Sequence, residues 1–337
     1  MPVVPYSTLK KLFAGILLPL GFACHSCAHA RTSDETKNHL SKSDLENISF
    51  VDVGISHKQV CGLASSGSVY CWKIDNNSIR ASGPGKPFVQ ISVGFRYVCG
   101  LTGQHELNCW RLKAPKTESN IRPSRELLTT IQKGLPTHKY KDVSAGLFHL
   151  CALIKNGQID CWGENDSGQS NPPDARYTDI STGEYHTCGV TKAGHILCWG
   201  ARRYFTNKKL ENANRRTGAN SQTFVKVSAG NRVTCGLTSE KEVQCWDRMG
   251  GTKYRPLPFE FRSVSVGRDF ACGVRNNRSV FCWDLIGHFI GHGAREISSN
   301  SPEGKFLEIV VRLHQACGVT ENGDIECWHF DSTTFPL

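Results

Sequence analysis

Short stretches of alternating apolar and polar residues recur along this chain, most fully between Tyr140 and Gly163. Leu153 and Ile159 lie two residues inside Cys151 and Cys161. Because side chains alternate along a strand, this spacing puts each cysteine and its aliphatic neighbour on one face, with the following Trp on the other. Folding the segment about its midpoint places Leu153 opposite Ile159 and Cys151 opposite Cys161. The pattern predicts a β-hairpin that is apolar on both faces.

The predicted hairpin turn has a recurring glycine. Gly157 lies one residue past the midpoint, where a three-residue loop favours the left-handed conformation. The same place is glycine in three other repeats, at Gly67, Gly194 and Gly323. The remaining repeats carry His105, Lys241 and Arg278 there, and we expect those three turns to be built differently.

The hairpin pattern, a cysteine followed after nine residues by Cys-Trp, occurs seven times. The cysteine pairs are Cys61 and Cys71, Cys99 and Cys109, Cys151 and Cys161, Cys188 and Cys198, Cys235 and Cys245, Cys272 and Cys282, and Cys317 and Cys327. An upstream strand with the template aromatic-x-x-[Val/Ile]-x-x-Gly precedes five of them, as in Tyr140, Val143 and Gly146. The first and last repeats have Ser56 and Arg312 in place of that glycine.

Repeats of this kind predict an all-β fold. Three strands and a variable outer fourth, repeated every 37 to 52 residues, are typical of β-propeller blades, and seven of them fill a ring. A β-solenoid is the alternative, but its repeats are shorter and need no hairpin. The tryptophans, one per repeat at a fixed position, are expected to pack between blades.

Two repeats carry a family resemblance. Gly146-x-x-His149-x-Cys151, continued by Gly157-x-Ile-x-Cys-Trp162-Gly163 and Asn-x-x-Gly-Gln169, resembles the repeat of the regulator-of-chromosome-condensation family. The following repeat, from Gly183 to Gly200, is nearly as similar. The resemblance implies a seven-bladed propeller that acts through protein–protein contacts, and it extends, weakened, over residues 48 to 330. The cysteines make it similar to a secreted bacterial branch, and the WD-repeat and kelch patterns fit less well.

The N-terminus predicts export. Lys10 and Lys11 precede an apolar run that is too short for a membrane span, and Ala28-His29-Ala30 is a small-x-small site, so residues 1–30 are interpreted as a signal peptide. Lipidation at Cys24 is the alternative, although the residues before it form a poor lipobox. Polar residues 31–47 are interpreted as a linker or closing segment, and residues 48–337 as the propeller. Cleavage after Ala30 leaves fourteen cysteines, which in a secreted or periplasmic chain predicts one disulfide per blade.

The positive charge is concentrated in two insertions. The whole chain carries a formal charge of +10, and residues 111–139 and 201–223 each hold an excess of five positive charges. We expect the second insertion to supply binding residues, namely Arg202, Arg203, Lys208, Lys209, Arg215 and Arg216. Their partner would be another protein or an anionic surface. Base-stacking aromatics are few, so nucleic acid is disfavoured.

No linear motif indicates catalysis, a metal site or a cofactor. His149 and His186 occupy equivalent places in neighbouring repeats and are interpreted as structural residues that hydrogen-bond to the backbone. The sequence therefore favours a monomeric secreted or periplasmic binding scaffold without enzymatic activity. One alternative is an enzyme with its site at the propeller axis, which convergence of Asp, Glu, His or Arg on the channel mouth would favour. A second is a GTPase exchange-factor-like regulator, disfavoured by the signal peptide and the cysteines.

Overall fold

A computed structural model describes residues 48–56, 59–73, 79–112, 125–133, 135–200, 223–231, 233–247, 257–285 and 303–330. The interpreted signal peptide and linker lie outside these residues, as do the six basic residues named above. No helix within the described ranges is long and apolar enough to cross a membrane.

The described residues form seven antiparallel sheets, which are the blades of a propeller. In chain order the strands are β1 (Phe50–Ile55), β2 (Gln59–Ala64), β3 (Val69–Lys73), β4 (Arg80–Ser82), β5 (Phe88–Gly94), β6 (Tyr97–Thr102), β7 (Leu107–Arg111), β8 (Tyr140–Ala145), β9 (His149–Ile154), β10 (Ile159–Gly163), β11 (Tyr177–Thr182), β12 (His186–Thr191), β13 (Ile196–Gly200), β14 (Phe224–Ala229), β15 (Val233–Thr238), β16 (Val243–Asp247), β17 (Phe261–Val266), β18 (Phe270–Arg275), β19 (Val280–Asp284), β20 (Phe306–Arg312), β21 (Gln315–Thr320) and β22 (Ile325–His329). Each blade has an inner, a middle and an outer strand, and β4 adds a fourth strand to the first blade. The predicted all-β, seven-bladed fold is confirmed.

The hairpin between the middle and outer strands has the predicted register. In the third blade Cys151 pairs with Cys161 and Leu153 with Ile159. All seven cysteine pairs form disulfides within their own blades, with Cα atoms 4.0 to 4.1 Å apart. Directly opposed strand residues lie within the range that a disulfide can bridge. The predicted pairing inside each blade is confirmed.

All seven hairpin turns have the same build, so the expectation that three would differ is wrong. His105, Lys241 and Arg278 have φ angles of 64°, 67° and 68°, in the left-handed region that the glycines occupy elsewhere. In every turn the amide of this residue donates to the carbonyl three residues before it, as Lys241 does to Thr238 at 3.0 Å. The register of the hairpin therefore imposes the conformation on whichever residue stands there.

These turns also join neighbouring blades. The carbonyl of each turn residue accepts a hydrogen bond from the first inner-strand residue of the next blade, as Gly157 accepts from Tyr177 at 2.7 Å. The last blade completes the circuit, because Gly323 accepts from Phe50 at 2.8 Å. We call the side of the ring that carries these turns and the starts of the inner strands the turn face; its turn residues are Gly67, His105, Gly157, Gly194, Lys241, Arg278 and Gly323.

The core is a series of clusters between adjacent blades. In each cluster the disulfide of one blade packs against the first aromatic of the next blade's inner strand and against that blade's Trp. Cys151, for example, shares a cluster with Tyr177 and Trp199, whose rings are 5.8 Å apart. The predicted position of the tryptophans between blades is confirmed, and the cluster of Phe50 with Cys317 packs the last blade against the first.

Within the described residues one helix interrupts the β-architecture, and the sequence pattern did not predict it. Helix α1 (Arg125–Lys133) lies in the first basic insertion and buries Leu127 in the cluster of Tyr140 and Leu150. Part of that insertion is therefore a structural cover over the second and third blades. Beyond the helix, Lys139 lies 3.2 Å from Glu106, so one of the insertion's basic groups has an acidic partner.

Candidate functional site

A cavity of about 450 Å³ lies on the propeller axis and is lined by the inner strands of all seven blades. Each inner strand has a β-bulge at its start, because the register shifts between its first and third residues. A bulge re-aims the side chains beside it, and here the third residue of every inner strand lines the cavity. We call this set the mouth ring: Asp52, Gln90, Asp142, Asp179, Lys226, Ser263 and Glu308.

Hydrogen bonds across blade boundaries hold the carboxylates of the mouth ring. Asp52 accepts from the amide of Ile91 at 2.9 Å, and Asp179 accepts from the amide of Val227 at 2.8 Å. Asp142 accepts from the side-chain amide of Gln90 at 2.6 Å. The groups are therefore fixed in position by the neighbouring blade, which makes the ring a preorganised cluster of negative charge.

Burial opposes the ionisation of these carboxyl groups. It raises the pKa of Asp52 to about 6, and the nearby charge of Asp142 acts in the same direction. Burial likewise raises the pKa of Glu308 well above its ordinary value, and a hydrogen bond joins its carboxyl group to that of Asp52. Two carboxyl groups this close share a proton, because two negative charges would repel each other.

Lys226 is the one basic member of the mouth ring. Its Nζ lies 3.5 Å from Oδ1 of Asp179, and the charge of Asp179 is the main cause that raises the pKa of Lys226. Burial nevertheless raises the pKa of Asp179 to about 6. One ammonium group thus faces four carboxyl groups, and the ring keeps an excess of negative charge.

A second layer, deeper in the channel, consists mainly of serines. Ser144 accepts from the amide of Thr182 at 2.9 Å, and four further serines make the equivalent bond to the next blade, namely Ser92, Ser181, Ser228 and Ser265. This ladder joins the second blade through to the seventh. Gly54 and Val310 occupy the equivalent places in the first and last blades, so no serine makes this bond from the first blade to the second or from the last blade to the first.

Arg312 crosses the channel at the end far from the turn face. It stands where five blades carry glycine, and its Nη1 donates to the carbonyls of Val93 and Ala145 at 3.1 and 3.3 Å. Those carbonyls belong to the second and third blades, across the ring from the seventh. The cavity therefore has an acidic mouth on the turn face and a guanidinium group at its other end.

His149 and His186 are structural, although their partners differ from the expected backbone groups. Nε2 of His149 lies 2.9 Å from the hydroxyl of Thr187, and His186 makes the same contact with Thr234 in the next blade. Burial lowers the pKa of His149 to about 3, so its ring is neutral at ordinary pH. Both rings therefore join neighbouring blades.

The structure brings together the residues of the mouth ring, which form no linear motif in the sequence. Aspartate and glutamate converge on the channel mouth, the feature expected to favour an enzyme with its site at the propeller axis. The signal was present in the sequence, because a polar residue stands two positions after the first aromatic of every inner strand. The described residues contain no group of three His, Cys, Asp or Glu side chains arranged to hold a metal ion.

An exposed apolar side chain directly precedes the mouth-ring residue in four of the seven blades. The second residue of the inner strand is Val51, Val89, Val225 and Leu307 in four blades, and their exposed fractions are 48%, 62%, 46% and 49%. Three of them, Leu307, Val51 and Val89, come from the adjacent seventh, first and second blades. We call these four residues the apolar rim. The only other large hydrophobic side chain with comparable exposure in the described ranges is Tyr185, beside the opposite end of the channel.

Comparisons with known proteins agree with this architecture. Residues 140–169 and 177–204 match the family model described as regulator of chromosome condensation (RCC1) repeat. A search of curated proteins found no significant match.

Several solved structures have a similar fold. The CRINKLY WD40 ectodomain of the Arabidopsis thaliana receptor kinase ACR4 is 20% identical, with a TM-score of 0.58 over 87% of this chain and 97% of that one. The ectodomain of the Physcomitrella patens receptor kinase CR4 is 23% identical, with a TM-score of 0.61 over 84% and 73% of the two chains. Prp20p from Saccharomyces cerevisiae is 12% identical, with a TM-score of 0.60 over 86% and 84%. The chain is thus a seven-bladed propeller in which residues 140–169 and 177–204 match the regulator of chromosome condensation (RCC1) repeat.

Proposed function

We propose that the protein is an exported binding scaffold that holds a partner protein on its turn face and has no catalytic activity of its own. The observation that carries this proposal is the apolar rim. Monomeric proteins rarely leave several large apolar side chains together on one surface unless that surface binds something. Four of the five such side chains in the described residues lie at one structural position around the channel mouth.

The build of the ring supports binding through this face. Each blade is cross-linked by its own disulfide, and every turn residue is hydrogen-bonded to the next blade. A rigid surface loses little conformational entropy when a partner docks, so more of the contact energy appears as affinity. Similar propellers include receptor ectodomains and Prp20p, a protein with binding properties to Gsp1p and histones.

The proposed location follows from the cysteines. Seven disulfides suit an oxidising compartment, which agrees with export by the interpreted signal peptide at residues 1–30. We therefore place the protein in the periplasm, the cell envelope or the medium, as a monomer that requires no cofactor. Lipidation at Cys24 would instead tether it to a membrane, and mass spectrometry of the exported N-terminus distinguishes the two outcomes.

The experiment is a capture assay with matched variants. Wild-type protein is immobilised and incubated with the native host's envelope fraction, and the captured protein is identified and quantified. We expect Val89→Asp and Leu307→Asp to lose capture, since each places a charge within the apolar rim. Tyr185→Asp, which changes an exposed aromatic at the opposite face, should capture as much as wild type. Equal capture by Val89→Asp, Leu307→Asp and wild type would refute the proposed face.

We also propose that the basic residues of the second insertion contribute to binding. Arg202, Arg203, Lys208, Lys209, Arg215 and Arg216 lie in a segment that follows Gly200 and precedes Phe224. Phe224 starts an inner strand at the turn face and is followed by Val225 of the apolar rim. Its charge would attract an acidic region of the same partner or an anionic surface.

The enzyme alternative has one specific observation in its favour, the convergence of four carboxyl groups at the channel mouth. Glycosidases that use two carboxyl groups hold them about 5 to 9.5 Å apart, because a substrate or a water must fit between them. Asp52 and Glu308 are hydrogen-bonded directly to each other. This arrangement does not suit glycoside hydrolysis, and its negative charge favours binding of a positively charged group.

A further inference from the structure

We infer that the mouth ring receives a cationic side chain, a lysine or an arginine, from the protein that binds the turn face. The inference rests on the proposed binding function and specifies the chemistry of the partner. Four observations carry it: the charge of the ring, an unpaired acceptor within it, the apolar rim around it and the closed far end of the cavity.

The charge of the ring selects for a cation. Asp52, Asp142, Asp179 and Glu308 line one cavity with Lys226 as the only basic member of the ring. Lys226 contacts Asp179, while the pair of Asp52 and Glu308 lies on the other side of the axis in the first and last blades. An ammonium or guanidinium group that entered between these carboxyl groups would replace their repulsion by attraction.

The ring also contains an acceptor without a partner. Ser263 occupies the mouth-ring position of the sixth blade, and its hydroxyl oxygen is buried and makes no hydrogen bond within the described residues. A buried polar atom without a partner is costly, so it indicates a group that binds there. A lysine or guanidinium donor inserted into the mouth would supply that bond if the Ser263 hydroxyl rotated toward it, because the oxygen is closed to solvent in this conformation.

The surroundings of the ring suit the stem of such a side chain. Lysine and arginine pair a charged end with a chain of methylene groups that packs on apolar surface. Leu307 and Val51 immediately precede Glu308 and Asp52 in the chain, Val89 stands at the same position in the second blade, and all three side chains are exposed. A partner side chain that reaches over these side chains would bury its stem there and place its charge in the ring.

The far end of the cavity sets the depth of insertion. Arg312 crosses the channel and is held by the carbonyls of Val93 and Ala145. Its positive charge repels another cation, so the entering group would stop at the mouth ring. The same feature excludes a cation that passes along the whole axis.

The test is a selection from a display library of random short peptides on the immobilised protein. The chain's formal charge of +10 would by itself enrich acidic peptides, so enrichment of lysine or arginine reports the local charge of the mouth. We expect enriched peptides with a lysine or arginine flanked by apolar residues. Their affinity should fall at least about tenfold for the double variant Asp52→Asn with Glu308→Gln, since removing the charges that face the inserted cation weakens binding strongly.

Two controls separate this inference from the proposed function. Asp166→Asn removes an exposed carboxylate outside the channel and should bind the peptides as wild type does. Circular dichroism and thermal melting verify that the double variant is folded. If the enriched peptides lack a cation and bind Val89→Asp more weakly than wild type, the inference is wrong and the proposed binding face stands. No enrichment of any peptide, or cationic peptides that bind the double variant equally well, would also overturn the inference.

Discussion

The carboxyl groups of Asp52 and Glu308 are hydrogen-bonded to each other across the boundary between the first and the last blade. At this boundary the serine ladder is interrupted, because Val310 has no hydroxyl to bind the next blade. Packing of Phe50 on Cys317 and the bond from Phe50 to Gly323 complete the contact. The boundary between the last and the first blade therefore lacks the uncharged serine hydrogen bond of the ladder and carries a titrating pair of carboxyl groups instead.

This pair makes the stability of the protein depend on pH. The pKa of Asp52 is about 6 in the folded protein against an ordinary value of 3.8, so between these values the folded state binds more protons than the unfolded chain. Stability should therefore fall as pH rises through that window. Asp52→Asn should reduce the fall by on the order of 1 kcal/mol in urea denaturation at a series of pH values. Asp179, whose pKa is also about 6, leaves part of the dependence in place. An unchanged pH slope in Asp52→Asn would contradict the shared proton, and Asp166→Asn is the matched control.

The left-handed turn residues offer a test of backbone strain. Lys241 has a φ of 67°, which costs a non-glycine residue roughly 1 to 2 kcal/mol. Lys241→Gly should therefore raise the free energy of unfolding by up to about 1 kcal/mol, since glycine's greater freedom in the unfolded chain offsets part of the gain. Gly157→Ala should lower it by about 1 kcal/mol, because the turn then strains an alanine. Urea denaturation measures both changes, and a loss of stability in Lys241→Gly would show that its side chain outweighs the strain.

The sequence predicted the features that recur in every repeat. It did not predict the features that arise when residues of different blades come together. Cysteine spacing identified the hairpin, because period-two alternation fixes which residues face each other. The turns of His105, Lys241 and Arg278 were misjudged because residue preference at one position was given more weight than the register imposed by the strands. The mouth ring lay outside any linear motif, since its members are distant in sequence and converge only through closure of the ring. Helix α1 was missed because it lies in an insertion that no other repeat shares.

The disulfides should each contribute a similar stabilisation. Cys235 and Cys245 close an eleven-residue loop, for which the chain-entropy account gives about 2.8 kcal/mol. Replacing both with alanine should lower the free energy of unfolding by up to about that amount and leave the fold intact. Alkylation of the exported protein should label no thiol before reduction. Peptide maps should join each cysteine to the one ten residues later, and a bridge between different blades would contradict the hairpin pairing.

The basic residues of the second insertion should act on association and leave folding unchanged. Replacing Arg202, Arg203, Lys208, Lys209, Arg215 and Arg216 with neutral residues should slow partner association, as happens when steering charge is removed. Wild-type affinity should fall with salt, because the Debye length shrinks from about 10 Å at 0.1 M to about 3 Å at 1 M, and the neutral variant should lose most of that dependence. Its melting temperature should stay close to wild type, since exposed charges contribute little to folding.

Trp199→Ala provides the opposite control for that experiment. Trp199 is 5% exposed and packs on the disulfide of the preceding blade, so its removal should cost about 3 to 5 kcal/mol of stability. The two variants, compared by surface plasmon resonance and thermal melting, separate the roles of insertion and blade. If the neutral variant associates as fast as wild type at low salt, the basic insertion makes no contribution to binding. The apolar rim and the mouth ring would then account for the recognition of the partner by themselves.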